Sequence, residues 1–460
     1  MNNHKLNTLG IEAPSILLPK AVSPKWPVIA CDQYTQDRDY WEKAKAFAES
    51  DPSTLNLIFP EVFLNDDDAA ERITDIHSTM NRYLREDVFA EPRQGFIYIE
   101  RDTPYRQKRR GLVAAVDLEK YDWRPDARPL IRSTEGTVPE RLPPRMDIRR
   151  GAPLELPHVL LLIDDDTDSL LPALGEYAKK NAPCYNTKLM MDSGSVTGWF
   201  IDTCESGQLS PAIELLTEKL DCLSLRSHDR YGSGDVHGNG PFLFAVGDGN
   251  HSLAAAKGIW EEFKVSNQTN DLRQNKEWMS HPCRYALVEI ENIYDPAIQF
   301  EPIHRLIFGI GFDETISLFS KLPEFSCRSA DSAKELENLV CKPAVLPPAG
   351  GEGASNCFGV VSEGKYALIT TSAKGIATAS LQPILDNWAG ENPELIDYIH
   401  DNEEVFRLAA AHKSAGILLP PVQKSGLFET IAGLGPLPRK SFSMGHSVEK
   451  RFYLEARKIL

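Results

Sequence analysis

Short runs of apolar residues predict the strands of this chain. Mostly apolar segments bounded by turn residues are typical of buried strands. The segment 188–203 has the pattern of a hairpin that turns near Ser193–Gly194. Further strands are predicted at 26–31, 95–102, 111–119, 158–165, 241–246 and 284–293.

Other segments carry apolar residues three or four positions apart, which predicts amphipathic helices. In 66–86 these residues are Ile73, Ile76, Met80 and Leu84. Strands and helices in one chain predict an α+β, or mixed α/β, protein. Helices are also expected within 36–50, 211–225 and 252–264.

After about residue 310, helix-like and strand-like segments alternate. Between them, 346–356 has the composition of a linker. A chain of 460 residues exceeds one typical domain. We therefore expect a core formed by residues 1–310, with an inserted β-rich segment. Residues 311–460 are expected to form a C-terminal α/β region that packs on this core.

Charge and composition narrow the classes of function. The net charge of −16 argues against broad binding to nucleic acid or to an anionic membrane. No apolar run approaches the ~20 residues of a membrane span, and the N-terminus lacks the pattern of a signal peptide. The eight cysteines include no CxxC pair, which favours reduced thiols. We expect a soluble cytoplasmic protein with a small-molecule partner, whereas the oligomeric state stays open.

The glycine loop, residues 247–252 (GDGNHS), is the most informative segment. It joins a predicted apolar strand to a helix. Gly247 and Gly249 leave the backbone accessible, and either Asp248 or Asn250 can cap the helix. The free N–H groups at such a helix start suit a phosphate.

Two side chains of the glycine loop carry candidate chemistry. His251 can bind phosphate or transfer a proton near neutral pH. Asp248 can hold Mg²⁺ or act as a base. The loop matches neither the Walker pattern nor the dinucleotide pattern. From spacing alone, a capped strand-to-helix turn with a surface histidine explains it equally well.

Further candidate residues lie elsewhere in the chain. Asp32 follows a predicted strand and is either a helix cap or a carboxylate that accepts a hydroxyl proton. His304 and Arg305 follow a predicted strand end and a proline, and they can offset phosphate charge. A proline-rich, loop-like basic segment at 132–150 can bind an anion or can be a solvated face; its candidates are Arg132, Glu135, Thr137 and Arg145.

The motifs resemble those of the proteins described as domain of unknown function 1015, and through them the ParB/sulfiredoxin-like superfamily, which includes a free-serine kinase. The glycine loop resembles the family's DGHHR-type loop. The segment 28–35 resembles its first strand-end motif, with Asp32 in the place of an aspartate. Similar correspondence is found for 131–145, for FEPIHRLIF at 300–308 and for LPRKSFSMG at 437–445, which contains Lys440.

The resemblance implies a ParB/sulfiredoxin-like nucleotide-binding core with large insertions and a phosphotransferase that uses ATP or ADP with Mg²⁺. The acceptor would be a small hydroxylated metabolite, possibly free serine. Asp32, Asp248 and His251 would be catalytic, with Asp248 as the metal ligand. Phosphate would contact Gly247, Gly249, Asn250 and Ser252, and substrate would contact Arg132, Glu135, Thr137, Arg145, His304, Arg305 and Lys440.

Ser252 stands where the family pattern has an arginine, so a guanidinium for phosphate is missing from the loop. Two alternatives to the forward transfer stay open. One is phosphatase-like reverse transfer from a phosphorylated metabolite, and the other is a nucleotide-binding switch without catalysis. The glycine-rich segment 228–240 has a composition that permits a lid.

Overall fold

The computed structural model describes residues 2–106, 108–205, 207–232, 241–267, 278–341 and 356–460. The chain forms two compact units. The first unit comprises Met1–Ile298 and His446–Leu460, and the second comprises Gln299–Gly445. Both contain helices and sheet, which confirms the mixed α/β class.

A large mixed sheet forms the centre of the first unit, with apolar side chains buried on both faces. The strand Phe244–Asp248 runs antiparallel to Leu160–Ile163 and parallel to Ile131–Ser133. In order across the sheet, the strands are Tyr185–Lys188, Ser195–Asp202, Arg93–Asp102, Arg109–Asp117, Tyr285–Asn292, Leu160–Ile163, Phe244–Asp248, Ile131–Ser133 and Tyr121–Asp122. The short strands Ile11–Glu12 and Ser15–Ile16 pair with Arg109–Asp117 and Arg93–Asp102, respectively.

Several helices cover this sheet. The helix Ala69–Arg85 confirms the predicted spacing, because Ile76 and Met80 are buried. The other helices of the unit are Asn2–Thr8, Arg38–Ala48, Leu142–Arg149, Leu171–Ala178, Pro211–Tyr231 and Asn250–Asn267. Single 3₁₀ turns occupy Thr54–Leu57, Glu61–Phe63, Leu118–Lys120, Pro139–Arg141, Pro282–Arg284 and Ser447–Glu449.

The C-terminal segment 446–460 is part of the first unit. The strand Phe452–Tyr453 pairs with Val28–Ile29, and Arg457–Lys458 pairs with Leu154–Glu155. The predicted division at residue 310 therefore differs from the observed units. Their boundary follows Ile298, and the last residues return because backbone pairing holds them against the first unit. The strands Cys204–Glu205 and Gln208–Leu209 of this unit pair antiparallel with each other.

The second unit has its own antiparallel sheet and its own apolar core. Its strands, in order, are Ser326–Ala330, Lys365–Thr371, Asn356–Ser362, Ser414–Leu418, His304–Phe308 and Ile396–Ile399, and Phe300–Pro302 pairs separately with Phe442–Met444. Its helices are Phe312–Phe319, Ala333–Cys341, Ala377–Ala389, Asn402–Leu408 and Lys424–Leu434, with a 3₁₀ turn at Pro393–Leu395.

Two local predictions have clear outcomes. The hairpin is confirmed, since Tyr185–Lys188 and Ser195–Asp202 are antiparallel and Gly194 makes the turn with φ +91°. The loop-like prediction for 132–150 is wrong over much of its length, because Leu142–Arg149 is helical. Prolines at the first helical positions lack only N–H groups that have no intrahelical partner there, so they do not break the helix.

Candidate functional site

The glycine loop has the predicted strand–turn–helix structure. The strand ends at Asp248 and the helix starts at Asn250. Between them Gly249 adopts φ +80°, a conformation that side chains with a Cβ rarely adopt. A Cβ at Gly249 would lie only 3.1 Å from the Val159 Cα, so the backbone just before the strand Leu160–Ile163 also leaves little room for a side chain here.

The basic segment predicted to bind an anion lies beside the glycine loop. The Thr134 N–H donates to Asn250 Oδ1 (3.3 Å), and the Val138 N–H donates to His251 Nε2 (3.2 Å). Thr134 also donates from its hydroxyl to the Val246 carbonyl (2.6 Å). These bonds join two of the predicted motifs, which are more than one hundred residues apart in sequence, into one structure.

The bond from Val138 defines the state of His251. A backbone N–H can only donate, so Nε2 of His251 accepts and carries no proton in this arrangement. His251 therefore anchors the neighbouring segment with one ring nitrogen. Asn250 is likewise engaged with Thr134, since its Nδ2 lies 3.3 Å from the Thr134 hydroxyl oxygen.

A cavity of 140 Å³ opens beside the first turn of the helix Asn250–Asn267. Apolar side chains that line it include Leu57, Phe59 and Met80. Polar side chains also line it; these are Cys31, Glu61, Arg145, Arg149, Glu155, His158, Ser252 and Tyr453. The cavity thus combines apolar surface with a few convergent polar groups, as small-molecule sites commonly do.

Arg145 and Glu61 form an ion pair at this cavity, and both side chains are only 15% exposed. Burial raises the pKa of Glu61, an effect that Arg145 opposes and the negative charge of Asp32 adds to. Arg145 also donates to the Arg141 carbonyl (2.8 Å). The predicted Arg145 is therefore a positive group held at the cavity by its own helix and by a carboxylate.

Asp32 follows Cys31 directly, and its Oδ1 accepts from Gln33 Nε2 (3.0 Å). It is not the cap of the next helix, because Asp37 has that role and accepts from the Tyr40 N–H (3.0 Å). Burial raises the pKa of Cys31, and the negative charge of Asp32 adds to the effect. Cys31 therefore stays a thiol and keeps its proton, which leaves the Asp32 carboxylate as the candidate base of the two.

The C-terminal segment places Lys450 at the glycine loop. Lys450 Nζ lies 3.2 Å from Asp248 Oδ2, and its side chain is 9% exposed. Two buried arginines hold the backbone of this segment: Arg101 donates to the Val448 carbonyl (2.6 Å), and Arg109 donates to the Glu449 carbonyl (2.7 Å). The loop thereby has a cation opposite Asp248.

The remaining predicted residues are placed differently. Arg132 is buried, donates from Nε to the Pro129 carbonyl (3.0 Å) and lies 4.5 Å from the centre of the Phe242 ring. Burial lowers the pKa of Arg132 to about 10. The Thr137 hydroxyl is buried and has no hydrogen-bond partner among the described residues. Glu135 is half-buried in the same segment.

His304, Arg305 and Lys440 belong to the second unit. Arg305 is fully buried there, with Nε 2.7 Å from Gln382 Oε1. His304 accepts from the Leu419 N–H (3.0 Å). Lys440 is exposed and has φ +58°. The structure accounts for His304 and Arg305 as core contacts, and a substrate-binding role for the three residues stays a prediction.

Sequence reasoning missed Glu61, His158, Lys450 and Tyr453. Each is distant in sequence from the glycine loop and belongs to no short motif. The resemblance at 437–445 was the available signal in the C-terminal segment, and it led to Lys440 instead of Lys450. The proposed lid falls mostly outside the described residues: the helix Pro211–Tyr231 takes in its first positions, and 233–240 are not described.

Two negative findings apply to the part of the chain that the structure describes. No helix there is both long and apolar enough to cross a membrane. No group of three or more histidine, cysteine, aspartate or glutamate side chains is arranged to hold a metal ion. Asp248 is therefore not part of a preformed cage of three or more such side chains in those residues.

Comparison with solved structures gives several similar chains, among them the following three of low identity. A free serine kinase mutant in complex with AMP is 10% identical, with a TM-score of 0.37, and the match covers 75% of this chain and 92% of that one. A mutant of the same kind in complex with ADP has the same identity and TM-score, with coverage of 78% and 95%. SbnI from Staphylococcus aureus, truncated at its C-terminus, is 8% identical, with a TM-score of 0.33 and coverage of 72% and 82%.

No curated protein sequence matches the chain. The ParB/sulfiredoxin-like relationship accordingly stays a prediction. A family model does match, and it extends over residues 15–388. This range begins before Asp32 and includes the basic segment, the glycine loop and the His304–Arg305 strand. The chain therefore belongs to the family described as "Protein of unknown function (DUF1015)".

Proposed function

We propose that this protein is a phosphotransferase that moves a phosphoryl group between ATP or ADP and a small hydroxylated metabolite, with free serine as the first candidate. One observation carries the proposal. The glycine loop accepts hydrogen bonds from the N–H groups of Thr134 and Val138. It also contributes to the wall of a cavity that Glu61 and Arg145 line. Phosphoryl transfer depends mainly on positioning and on offsetting charge, and this site supplies groups for both.

In the proposed reaction, Asp32 accepts the proton of the acceptor hydroxyl. The hydroxyl oxygen forms a bond to the terminal phosphorus of the nucleotide, while the bond from that phosphorus to the bridging oxygen breaks. The shortened nucleotide leaves with the bridging oxygen. The phosphates rest on the glycine loop at the start of the helix, where N–H groups and the helix dipole favour anions.

Cations at the site offset the phosphate charge in this proposal. Lys450 is held next to the loop by its contact with Asp248. Arg145 offers a guanidinium at the cavity, paired with Glu61. A zwitterionic amino acid fits such a pair, since its carboxylate can take the place of Glu61 on Arg145 while its ammonium group binds the freed carboxylate.

Mg²⁺ fits this site as a nucleotide-borne ion. Magnesium is commonly bound through one or two carboxylates together with substrate phosphates. Asp248 is the carboxylate that would hold it, and bound Mg²⁺ would neutralise charge on the phosphates. The orphaned hydroxyl of Thr137 is a further group that a ligand in this region can satisfy, because buried polar groups are normally hydrogen-bonded.

The test uses purified protein with ATP or ADP, Mg²⁺ and a panel of hydroxylated amino acids, with detection of phosphorylated product. We expect product from at least one acceptor, and a loss of about 10²-fold or more in Asp32→Asn. Asp37→Asn is the matched control, because asparagine also caps a helix and the change removes only the charge of a carboxylate.

The other outcomes separate the alternatives. Tight nucleotide binding without product in any combination would identify a nucleotide-binding switch. Product formed only from a phosphorylated metabolite would identify the reverse transfer. If Asp32→Asn is as active as the unchanged protein, Asp32 is not the base of the reaction.

A further inference from the structure

A chain of hydrogen bonds runs from the backbone of Cys31 to the cavity. The Cys31 N–H donates to the Tyr453 hydroxyl oxygen over 3.3 Å. The same oxygen lies 2.8 Å from His158 Nδ1, and His158 Nε2 lies 2.8 Å from the Ser252 Oγ. Tyr453 is 2% exposed and His158 is 9% exposed, so water competes little with these bonds. All four residues line the cavity.

The direction of the chain follows from the first bond and from the strengths of the acceptors. A backbone N–H can only donate, so the Tyr453 oxygen accepts from the Cys31 N–H. The single proton of Tyr453 is directed to His158 Nδ1, because the other side chain bonded to the phenol is the Cys31 thiol, whose sulfur is a weak acceptor. Burial raises the pKa of Tyr453, which keeps the phenol protonated. Nδ1 therefore accepts, and the proton of a neutral imidazole is on Nε2. His158 then donates to Ser252.

This direction leaves the Ser252 proton available to a ligand. Among the described residues, His158 is the hydrogen-bond partner of the Ser252 side chain. Because the oxygen accepts from His158, the hydroxyl proton points away from it. Ser252 is in the first turn of the helix Asn250–Asn267 and lines the cavity, so an acceptor that enters beside the glycine loop meets this donor.

We propose that the Tyr453–His158 pair holds the Ser252 hydroxyl as a fixed donor to a phosphoryl oxygen of the bound nucleotide. This rests on the proposed nucleotide binding at the glycine loop. Ser252 is the residue that contacts the ligand, whereas His158 and Tyr453 are positioning residues that act through it. An unprotonated phosphoryl oxygen accepts hydrogen bonds and carries a negative charge, so a hydroxyl fixed as a donor favours it over a neutral ligand hydroxyl.

The tautomer of His158 tests the chain without any ligand. Nitrogen-15 NMR of protein labelled at histidine, recorded at pH 8, distinguishes a proton on Nε2 from one on Nδ1. His158→Gln identifies the signal by its loss. We expect the Nε2–H form in the unchanged protein and a higher population of the Nδ1–H form in Tyr453→Phe. A predominant Nδ1–H form in the unchanged protein would overturn the proposal.

Calorimetric titration with ADP and with pyrophosphate tests the donor itself. Ser252→Ala should bind both about tenfold more weakly, because it loses one hydrogen bond to a charged group. Ser252→Thr retains a hydroxyl and should restore most of the affinity. Tyr453→Phe should also weaken binding. Without the Tyr453 proton, His158 can carry its own proton on Nδ1, and its Nε2 can then accept the Ser252 proton that would otherwise go to the phosphate. Tyr294→Phe, which removes a hydroxyl bonded to Asp164 elsewhere in the first unit, should change neither affinity.

The double variant separates positioning from general damage. If Tyr453 acts through Ser252, Tyr453→Phe adds little to the loss in Ser252→Ala. Fully additive losses, or unchanged affinity in Ser252→Ala, would overturn the inference, as would an unchanged protein that binds neither probe. Binding that depends on Ser252 without phosphorylated product would instead support the inference and remove the phosphotransferase proposal.

Discussion

The glycine loop and the His304–Arg305 strand look similar in sequence, since each has a histidine close to an apolar segment that predicts a strand. In the structure they have opposite surroundings. The glycine loop is half-buried and lies beside a cavity, with Lys450 and His158 in contact with its side chains. Arg305 is fully buried, with its guanidinium 4.6 Å from the centre of the Tyr398 ring.

The difference shows what polar and charged side chains do in a core and at a cavity. A buried charged side chain that is hydrogen-bonded within its own unit stabilises the fold. Its removal lowers the free energy of unfolding, because its hydrogen-bond partners are left unsatisfied. A polar group at a cavity keeps capacity for a ligand. Variants in the second unit should therefore affect stability, and variants at the glycine loop should affect binding.

The largest expected effect is the loss of stability in Arg305→Ala. The change leaves Gln382 without its 2.7 Å partner and opens a void, so the free energy of unfolding of the second unit should fall by about 3 kcal/mol. Hydrogen exchange of residues 299–445 measures this. Arg328→Ala, at an arginine whose side chain is 67% exposed, is the control and should have little effect. If Arg305→Ala clearly loses nucleotide affinity while hydrogen exchange is unchanged, Arg305 acts in binding and the contrast between the two regions is wrong.

His304 should make the second unit sensitive to acid. Burial lowers the pKa of His304 to about 4 from 6.5. Between these values the unfolded chain binds more protons than the folded one, so stability is lost as pH falls from about 6.5 to 4. The loss corresponds to roughly 3 kcal/mol at 1.36 kcal/mol per unit.

Thermal unfolding as a function of pH checks this prediction. His304→Gln should flatten the slope in this window, while His412→Gln should leave it unchanged, because the His412 side chain is 82% exposed. An unchanged slope in His304→Gln would show that another group produces the acid sensitivity.

Gly249→Ala should combine a modest loss of stability with a loss of binding. At φ +80° any side chain is strained, and the added Cβ would meet the Val159 backbone. We expect the free energy of unfolding to fall by about 2 kcal/mol. Gly151→Ala is the matched control, since its φ is +76° but no atom lies within 4 Å of the added Cβ. If both variants lose the same stability and Gly249→Ala binds ADP normally, the loop is only a turn.

Lys450→Met should give the smallest effect. It removes the cation 3.2 Å from Asp248, and we expect ADP to bind about tenfold more weakly, with a weaker dependence on salt concentration. Lys458→Met, at an exposed lysine of the same C-terminal segment, should bind as the unchanged protein does. Equal affinity of both variants would exclude Lys450 from the site.

The sequence by itself determined the mixed α/β class and the strand–turn–helix at residues 247–252, because these depend on local patterns of apolar residues and glycine. The motifs also predicted the family, which is confirmed. Arg145 lines the cavity, and its role as a substrate contact stays a prediction. The sequence pattern misjudged the helix Leu142–Arg149, whose prolines stand at the one place where a helix tolerates them.

Only the tertiary structure decided which polar residues share the cavity. Strand pairing brings the C-terminal segment back to Val28–Ile29, and this places Tyr453 against His158 and Lys450 against Asp248. No local pattern encodes that return, since it depends on contacts between residues that are hundreds of positions apart. The burial of Arg305 was equally hidden, because a one-dimensional pattern does not show how a core closes around a charged side chain.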